Sequence, residues 1–466
     1  MEKTARIKTM LSATLIIFCI TSTAFVVSGL THVQEMTGAV VDFGGGKTYF
    51  GAIPYEDDPD SQEGLETTCN VFSFELLWDG DMVISIDSIE SGTDERAWGL
   101  YIVEKSKTNT QDSYEWKKIS GNPREVIIND YAAVAWAYCS EEESPSRAVD
   151  ATGKCFYGYG HPNRIISLAP SCTEMVCSVG GERKLVGADE FSNYPESVES
   201  ARKSGKITRI GGFTNPSYEY IIKSNPDLVV CINSQHSHIN MAERLRSVGI
   251  NVVVVDGGED VSSILEGIMM VGTAIGTRGM AENIISGISS ELYGIKEKIN
   301  SNSSAPKNAM VALSTDKSPW TSGSYTYASD ILDMISVGNS FSDLGGWVMV
   351  NSESLVKRNI NYIVVVNNNG PSTQDEYNKA MESLGDEWKL TDAYINRNIY
   401  FLTDSAADLA SRAGPRVAQF TELMARIIQG TAFYGGVPTD EMPKYIGDNY
   451  RDFISLTNDP VVKGYA

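Results

Sequence analysis

The spacing of apolar residues changes character along the chain. Over Met82–Ile89, Ala97–Val103, Arg124–Asp130 and Ala132–Cys139 apolar and polar positions alternate, with many β-branched and aromatic residues, which predicts strands. Leu65–Leu77 reads as one helix. From Arg164 short apolar runs take turns with helical stretches. Strands are expected at Arg164–Ala169, Lys184–Glu190, Asp227–Asn233 and Ile250–Asp256, and helices from Thr173, over Ser217–Pro226 and over Ile239–Gly249. Strict alternation of this kind predicts a parallel sheet covered by helices on both faces. In residues 277–300 the apolar positions Met280, Ile284, Ile288, Leu292, Ile295 and Ile299 follow steps of three and four, the stripe of a long helix. A second alternating set follows: strands at Ala309–Ser314, Ile360–Val366 and Asn398–Thr403, and helices at Tyr327–Ser336 and Pro415–Gln429. The expectation is an α/β protein of two lobes joined by a long helix, preceded by a small β-rich α+β domain.

The expected division is a signal peptide or N-terminal membrane anchor over 1–36, the β-rich domain over 37–150 and a linker over 151–162. The first lobe follows over 163–276, the joining helix over 277–301, and the second lobe with its tail over 302–466. The leader reading rests on Lys3, Arg6 and Lys8 ahead of an uncharged run from Thr9 to Val33. Phe18 before Cys19 does not suit a lipoprotein cleavage box, and Val27-Ser28-Gly29 is a poor cleavage site. The expected location is extracytoplasmic: secreted, periplasmic or at the cell surface, free or tethered at one end.

Charge narrows the function. The 466-residue chain has a formal net charge of −22, and residues 37–150 are its most acidic part. Phosphate binding needs clustered Lys and Arg, so nucleic acid is excluded as a partner. Of seven cysteines, Cys19 lies in the leader, Cys69 and Cys139 are candidates to pair, and Cys172 and Cys177 point to different faces of a helix. No Cys-x-x-Cys occurs, and the chain contains no nucleophile elbow, phosphate loop or His-Glu-x-x-His, so a binder is expected rather than an enzyme.

Candidate ligand contacts follow the strands, because open α/β sheets bind beyond the carboxyl ends of their strands. The loops there carry Phe191, Tyr194, Phe213, Trp320, Tyr325, Tyr327 and Trp347 among small polar residues, a set suited to a large, flat, partly polar organic molecule. The Ala169-Pro170-Ser171-Cys172 turn is expected in the cleft wall. There Ser171 and Glu174 form a capping box, and the helix N-terminus offers N–H donors. His236-x-His238 has three readings: a metal pair on one strand face, a contact with the ligand, or ordinary polar loop residues.

Residues 163–430 resemble the substrate-binding proteins of ABC importers for vitamin B12 and iron-siderophores, the class with a helical backbone between two Rossmann-like lobes. The matching words are RIISLAPSCTEMVCSVGG, DEFSNYPE, GGFTNPSYEYIIKSNPDLVV, LRSVGINVVVVD, SPWTSGSYTYASDILDMI and RAGPRVAQF. The cobalamin-binding members are most similar, through SLAPSCTE, FSNYP and PWTSG. The resemblance implies a corrinoid lying edge-on between the lobes, met by Tyr194, Phe213 and Trp320 beside Ser322 and Gly323. With the loop readings, the expected contact set is completed by Ser171, Cys172, His236, His238, Tyr325 and Trp347. It also implies docking on an ABC permease and ATPase complex through one acid per lobe. Glu219 matches the first; Ser411 stands at the place of the second, and Asp408 is the substitute. No cofactor and no resident metal are implied; cobalt would arrive with the ligand. Residues 37–150 are similar to the C-terminal domain of transcobalamin-like proteins, with Trp98 and Trp136 at strand positions. The alternative ligand is an iron-siderophore or haem. A siderophore calls for Arg or Lys in the cleft, where Lys317 stands only at the edge and Arg209 and Arg412 are the candidates.

Overall fold

The structure is a computed structural model. It describes residues 36–462 apart from 44–47, 51–52, 55–56, 93, 105–115, 146–147, 153–154, 157–161, 249, 301–305 and 431–441. The leader reading for residues 1–35 falls outside these.

The β-rich part contains β1 (Val40–Asp42), β2 (Thr48–Phe50), α1 (Ser61–Phe72), β3 (Leu76–Asp79), β4 (Met82–Ile86), β5 (Ile89–Glu90), β6 (Ala97–Glu104), β7 (Lys117–Ile119) and β8 (Tyr131–Cys139). One sheet has the order β2-β1-β8-β6-β7, and β3-β4-β5 form an antiparallel meander. Trp98 and Trp136 are core residues, their indole N–H groups donating to the carbonyls of Ile89 and Ser61. Two expectations need correction. The helix expected over 65–77 ends at Ser73, which turns left-handed (φ 58°) and closes the last turn through its N–H to the Asn70 carbonyl, so Leu76 and Leu77 start β3. Arg124–Asp130 is no strand. It forms two 3₁₀ turns, Pro123–Glu125 and Ile128–Asp130, because its alternating Val126 and Ile128 are buried beside the start of α1 rather than in a ladder. Among the described residues the ladder-like contact there is an isolated bridge between Asp60 and Ile127.

The first lobe runs β9 (Ile165–Ser167), α2 (Pro170–Ser178), β10 (Leu185–Ala188), α3 (Glu196–Lys203), β11 (Thr208–Arg209), α4 (Tyr218–Lys223), β12 (Leu228–Ile232), α5 (His236–Arg246), β13 (Asn251–Val255) and α6 (Val261–Ala274). Its five strands are all parallel in the order β11-β10-β9-β12-β13. The free edge of β13 is covered by the connecting chain. The Ala151 N–H donates to the Val254 carbonyl at 2.9 Å, and the buried Asp150 carboxylate accepts from the Val254 N–H and from Arg246. Covering an edge in this way removes a site of unwanted strand pairing.

The long helix α7 (Arg278–Asn300) stands where expected, with Ile284, Ile288, Leu292, Ile295 and Ile299 buried. The second lobe contains β14 (Asn308–Ala312), β15 (Trp320–Ser322), α8 (Tyr327–Met334), β16 (Trp347–Met349), β17 (Tyr362–Val366), β18 (Ile399–Leu402), α9 (Asp404–Ser411), α10 (Val417–Gln429) and β19 (Tyr445–Ile446). Its sheet has the order β16-β15-β14-β17-β18-β19. The first three strands are antiparallel neighbours and the rest parallel. One continuous apolar core takes in both lobes along the buried stripe of α7. Among the described residues no helix is long and apolar enough to cross a membrane.

Candidate functional site

The candidate residues lie on loops and element ends of both lobes. In the first lobe, α2 begins at Pro170 with Ala169 as its N-cap, and no side chain caps it. The expected capping box is therefore absent, and the reason is charge. Glu174 is buried and its carboxylate is taken by the second lobe, accepting from Arg416 Nε at 2.8 Å, Arg416 Nη2 at 2.6 Å and Arg412 Nη1 at 2.9 Å. Proline at the first helical position supplies the start instead, since its missing N–H is one of the orphans there. Cys172 is fully buried in the core and presents no surface to a ligand, while Ser171 keeps 8 % of its surface exposed.

The loop after β10 carries the next group. Asp189 is buried; its carboxylate accepts from the Phe191 N–H at 3.0 Å and from Ser192 Oγ. Ser192 continues to Thr173 at 2.7 Å and Thr173 to Ser167, a chain of buried hydroxyls. Burial outweighs these bonds and lifts the Asp189 carboxyl to about 6. Phe191 in this braced loop is 59 % exposed. Arg412 reaches the same loop, donating to the Phe191 carbonyl and to Asn193 Oδ1 at 2.6 Å. Tyr194 is clamped from the second lobe: the Arg416 guanidinium lies 4.1 Å from its ring centre, its hydroxyl donates to Asp459, and Arg451 donates to it at 2.7 Å.

His236 and His238 do not sit on a strand. They lie in the first turn of α5, where positions two apart diverge. His236 is exposed and His238 is fully buried. A shared metal is thereby ruled out for this pair. Among the described residues no group of three His, Cys, Asp or Glu side chains is placed to hold a metal ion. His238 Nε2 is 2.8 Å from the carbonyl of Phe213, and the two rings stack edge-to-face with centres 5.2 Å apart.

In the second lobe Trp320 and Tyr325 are 46 % and 76 % exposed, while Trp347 is partly buried against the core and pairs with Ser322 across β15 and β16. Ser322 is buried, and Gly323 is where the chain passes too close to Leu344 for a side chain: an added Cβ would stand 2.2 Å from the Leu344 carbonyl oxygen. Tyr327 is a core residue bonded to the Ala410 carbonyl. A polar cavity of about 460 Å³ lies beside the lobe contact, lined by Asn193, Tyr194, Asp404, Asp408, Arg412 and Arg451 among others. Asp408 is held there by Arg412, Asn193 and Asn368, so its carboxylate faces inward and is a poor candidate for docking a partner. Glu219 is exposed on the first turn of α4. Cys69 and Cys139, candidates for a disulfide, are both buried and unpaired.

The residues missed by sequence reasoning as site builders are Glu174, Asn193, Arg416, Arg451 and Asp459. Their one available signal was the pair of arginines in RAGPR just after a helix, opposite the acid in SCTE.

The profile described as "Periplasmic binding protein" matches residues 165–406, the first lobe and the second as far as the start of α9. The chain belongs to the periplasmic binding protein family. The chain is 30 % identical over 274 residues to a Bacillus subtilis protein described as an uncharacterized ABC transporter substrate-binding lipoprotein, covering 58 % of this chain and 82 % of that one. It is 25 % identical over 215 residues to a vitamin B12-binding protein of Pectobacterium atrosepticum, covering 45 % and 74 %. A solved periplasmic heme binding protein from Pseudomonas aeruginosa has the same fold, with a TM-score of 0.50 at 18 % identity over 59 % of this chain and 94 % of that one. The matched family region begins at residue 165, so the transcobalamin likeness of residues 37–150 gains no support from it.

Proposed function

We propose that this protein is an extracytoplasmic receptor that captures cobalamin or a related corrinoid and delivers it to an ABC permease and ATPase complex. One observation carries the ligand reading. Phe191 in the loop after β10, Trp320 at the start of β15 and Tyr325 shortly after β15 are exposed aromatic residues, while Arg412 is buried and bonded to Glu174, Asp408 and Asn193. Exposed aromatic faces suit a broad, nearly neutral macrocycle. An acidic siderophore, or the propionates of a haem, would need a free cation; Arg412 is taken by Glu174 and Asp408, which leaves the exposed Arg209 at the end of β11 as the residue that would serve the alternative ligand. The vitamin B12-binding relatives favour the same ligand. Binding, without covalent chemistry, is the mechanism: apolar faces leave water against the macrocycle, and loop main-chain groups meet its polar rim. Delivery and location are read from the family and the ABC substrate-binding relative, and Glu219 is the proposed contact with the permease.

The test is calorimetric titration of the purified chain with cyanocobalamin, cobinamide, haemin and a ferric siderophore. Stoichiometric corrinoid binding, weakened at least about tenfold by Trp320→Ala with Tyr325→Ala, is expected. Binding of haemin or siderophore with no response to either corrinoid overturns the ligand and leaves the family standing.

A further inference from the structure

The loop that carries Phe213 has a very short ladder of its own, and its base is tied to the loop after β10 by the Glu190 N–H, which donates to the Gly211 carbonyl at 3.0 Å. It is the tip of a hairpin whose strands, Gly211–Gly212 and Asn215–Pro216, are two residues long. Gly211 adopts φ 104°, a conformation that a side chain would strain. A hairpin of that length has too few ladder bonds to fix its own tip. At the tip itself, where Phe213 packs against the core, His238, fully buried at the third position of α5, reaches the Phe213 carbonyl at 2.8 Å and meets the Phe213 ring edge-to-face.

The choice of histidine here is informative. Burial pushes the imidazole down to about 4, so it is neutral at physiological pH. A neutral imidazole that bonds a carbonyl must carry its proton on Nε2, which leaves Nδ1 as an acceptor. Nδ1 is buried with no partner among the described residues. An unpaired buried acceptor is unfavourable, and a leucine or methionine would fill the space without it. What histidine supplies in return is the N–H donor to Phe213.

We propose that His238 is a positioning residue of the ligand cleft, its Nε2–H holding the Phe213 carbonyl and thereby fixing the angle at which the Phe213 ring meets the ligand. This rests on the corrinoid reading for its affinity readout and on the structure alone for its second readout.

The experiment compares the full chain with His238→Leu, which keeps volume without a donor, and His238→Gln, whose amide N–H reaches about as far as Nε2. Cyanocobalamin affinity is expected to fall about tenfold in the leucine variant and to be largely restored in the glutamine variant. In a Phe213→Ala background the leucine substitution should change affinity no further, the signature of coupling. Thermal stability of the leucine variant should not fall with its affinity, which separates positioning from general loosening. Amide exchange of residues 211–216, measured without ligand, should quicken in the leucine variant and return in the glutamine variant. Equal affinity and equal exchange in all three proteins overturn the proposal. If the wild type binds no corrinoid, the ligand reading has failed and the exchange result alone decides: quickened exchange supports the tether and unchanged exchange overturns it. Should the leucine variant not fold, His238→Asn, whose amide is too short to reach, takes its place.

Discussion

Glu174 of the first lobe and Arg416 of the second form a two-pronged ion pair, Nε to Oε2 at 2.8 Å and Nη2 to Oε1 at 2.6 Å, with both side chains almost sealed from water. Arg412 adds a third bond to Glu174 and a bond to Asp408 at 2.9 Å, so two acids answer two guanidinium groups. The planar fork of arginine matches a carboxylate, and burial makes the match matter, because a charge left alone there has no water to turn to.

Glu174→Gln leaves both guanidinium groups without their shared carboxylate. Unfolding in urea should show a loss of about 3–5 kcal/mol, the scale for breaking a buried pair from one side. Asp408→Asn, at the cavity edge, should cost clearly less. An equal loss from both would show that the pair is no more buried in solution than the cavity rim.

Asp189 sets a pH dependence. Its folded value of about 6 lies above the ordinary 3.8, so the folded state favours the protonated acid. Its contribution to stability is whole below about 3.8 and is lost as the pH rises through about 6. Relative to Asp189→Asn, the wild type should lose stability with rising pH across that window and run parallel above 7. Denaturant titrations of both proteins from pH 4 to 7.5 read this directly, and a flat difference would mean the carboxyl is not raised.

Gly323→Ala places a methyl 2.2 Å from the Leu344 carbonyl oxygen and 3.0 Å from that of Gly346. Both neighbours are backbone, so the loop itself must move. A loss of about 1–3 kcal/mol in thermal or urea unfolding is expected, with weaker ligand binding because Trp320 and Tyr325 flank the shifted segment. Gly345→Ala is the control: its methyl would meet only the Tyr325 ring at 3.8 Å, an ordinary contact.

The thiols of Cys69, Cys139, Cys172, Cys177 and Cys231 are buried and unpaired. Burial lifts Cys69 and Cys231 to about 12, so almost none of either is thiolate at pH 8. Iodoacetamide followed by mass spectrometry should leave all five unmodified in the folded protein and label them in urea. Added reductant should leave the melting temperature unchanged. A shift on reduction would point to a disulfide between Cys69 and Cys139.

The sequence by itself determined the α/β alternation, the long helix of residues 278–300 and the two-lobe order, because each follows from which residues must leave water at a period of two or 3.6. It also located the loops that carry Phe191, Phe213, Trp320 and Tyr325, since the loops beyond strand ends follow once the strands are known. Only the tertiary structure decided what the polar residues of those loops do. Glu174 reads locally as a helix cap, and His236-x-His238 reads as a pair facing one way. The cap was displaced by arginines more than two hundred residues away in sequence, and the pair was split by one helical turn that buries one imidazole and exposes the other. Apolar burial is a sum over local pattern and survives in the sequence. The partner of a buried charge or donor is a single distant group, and local pattern carries no record of it.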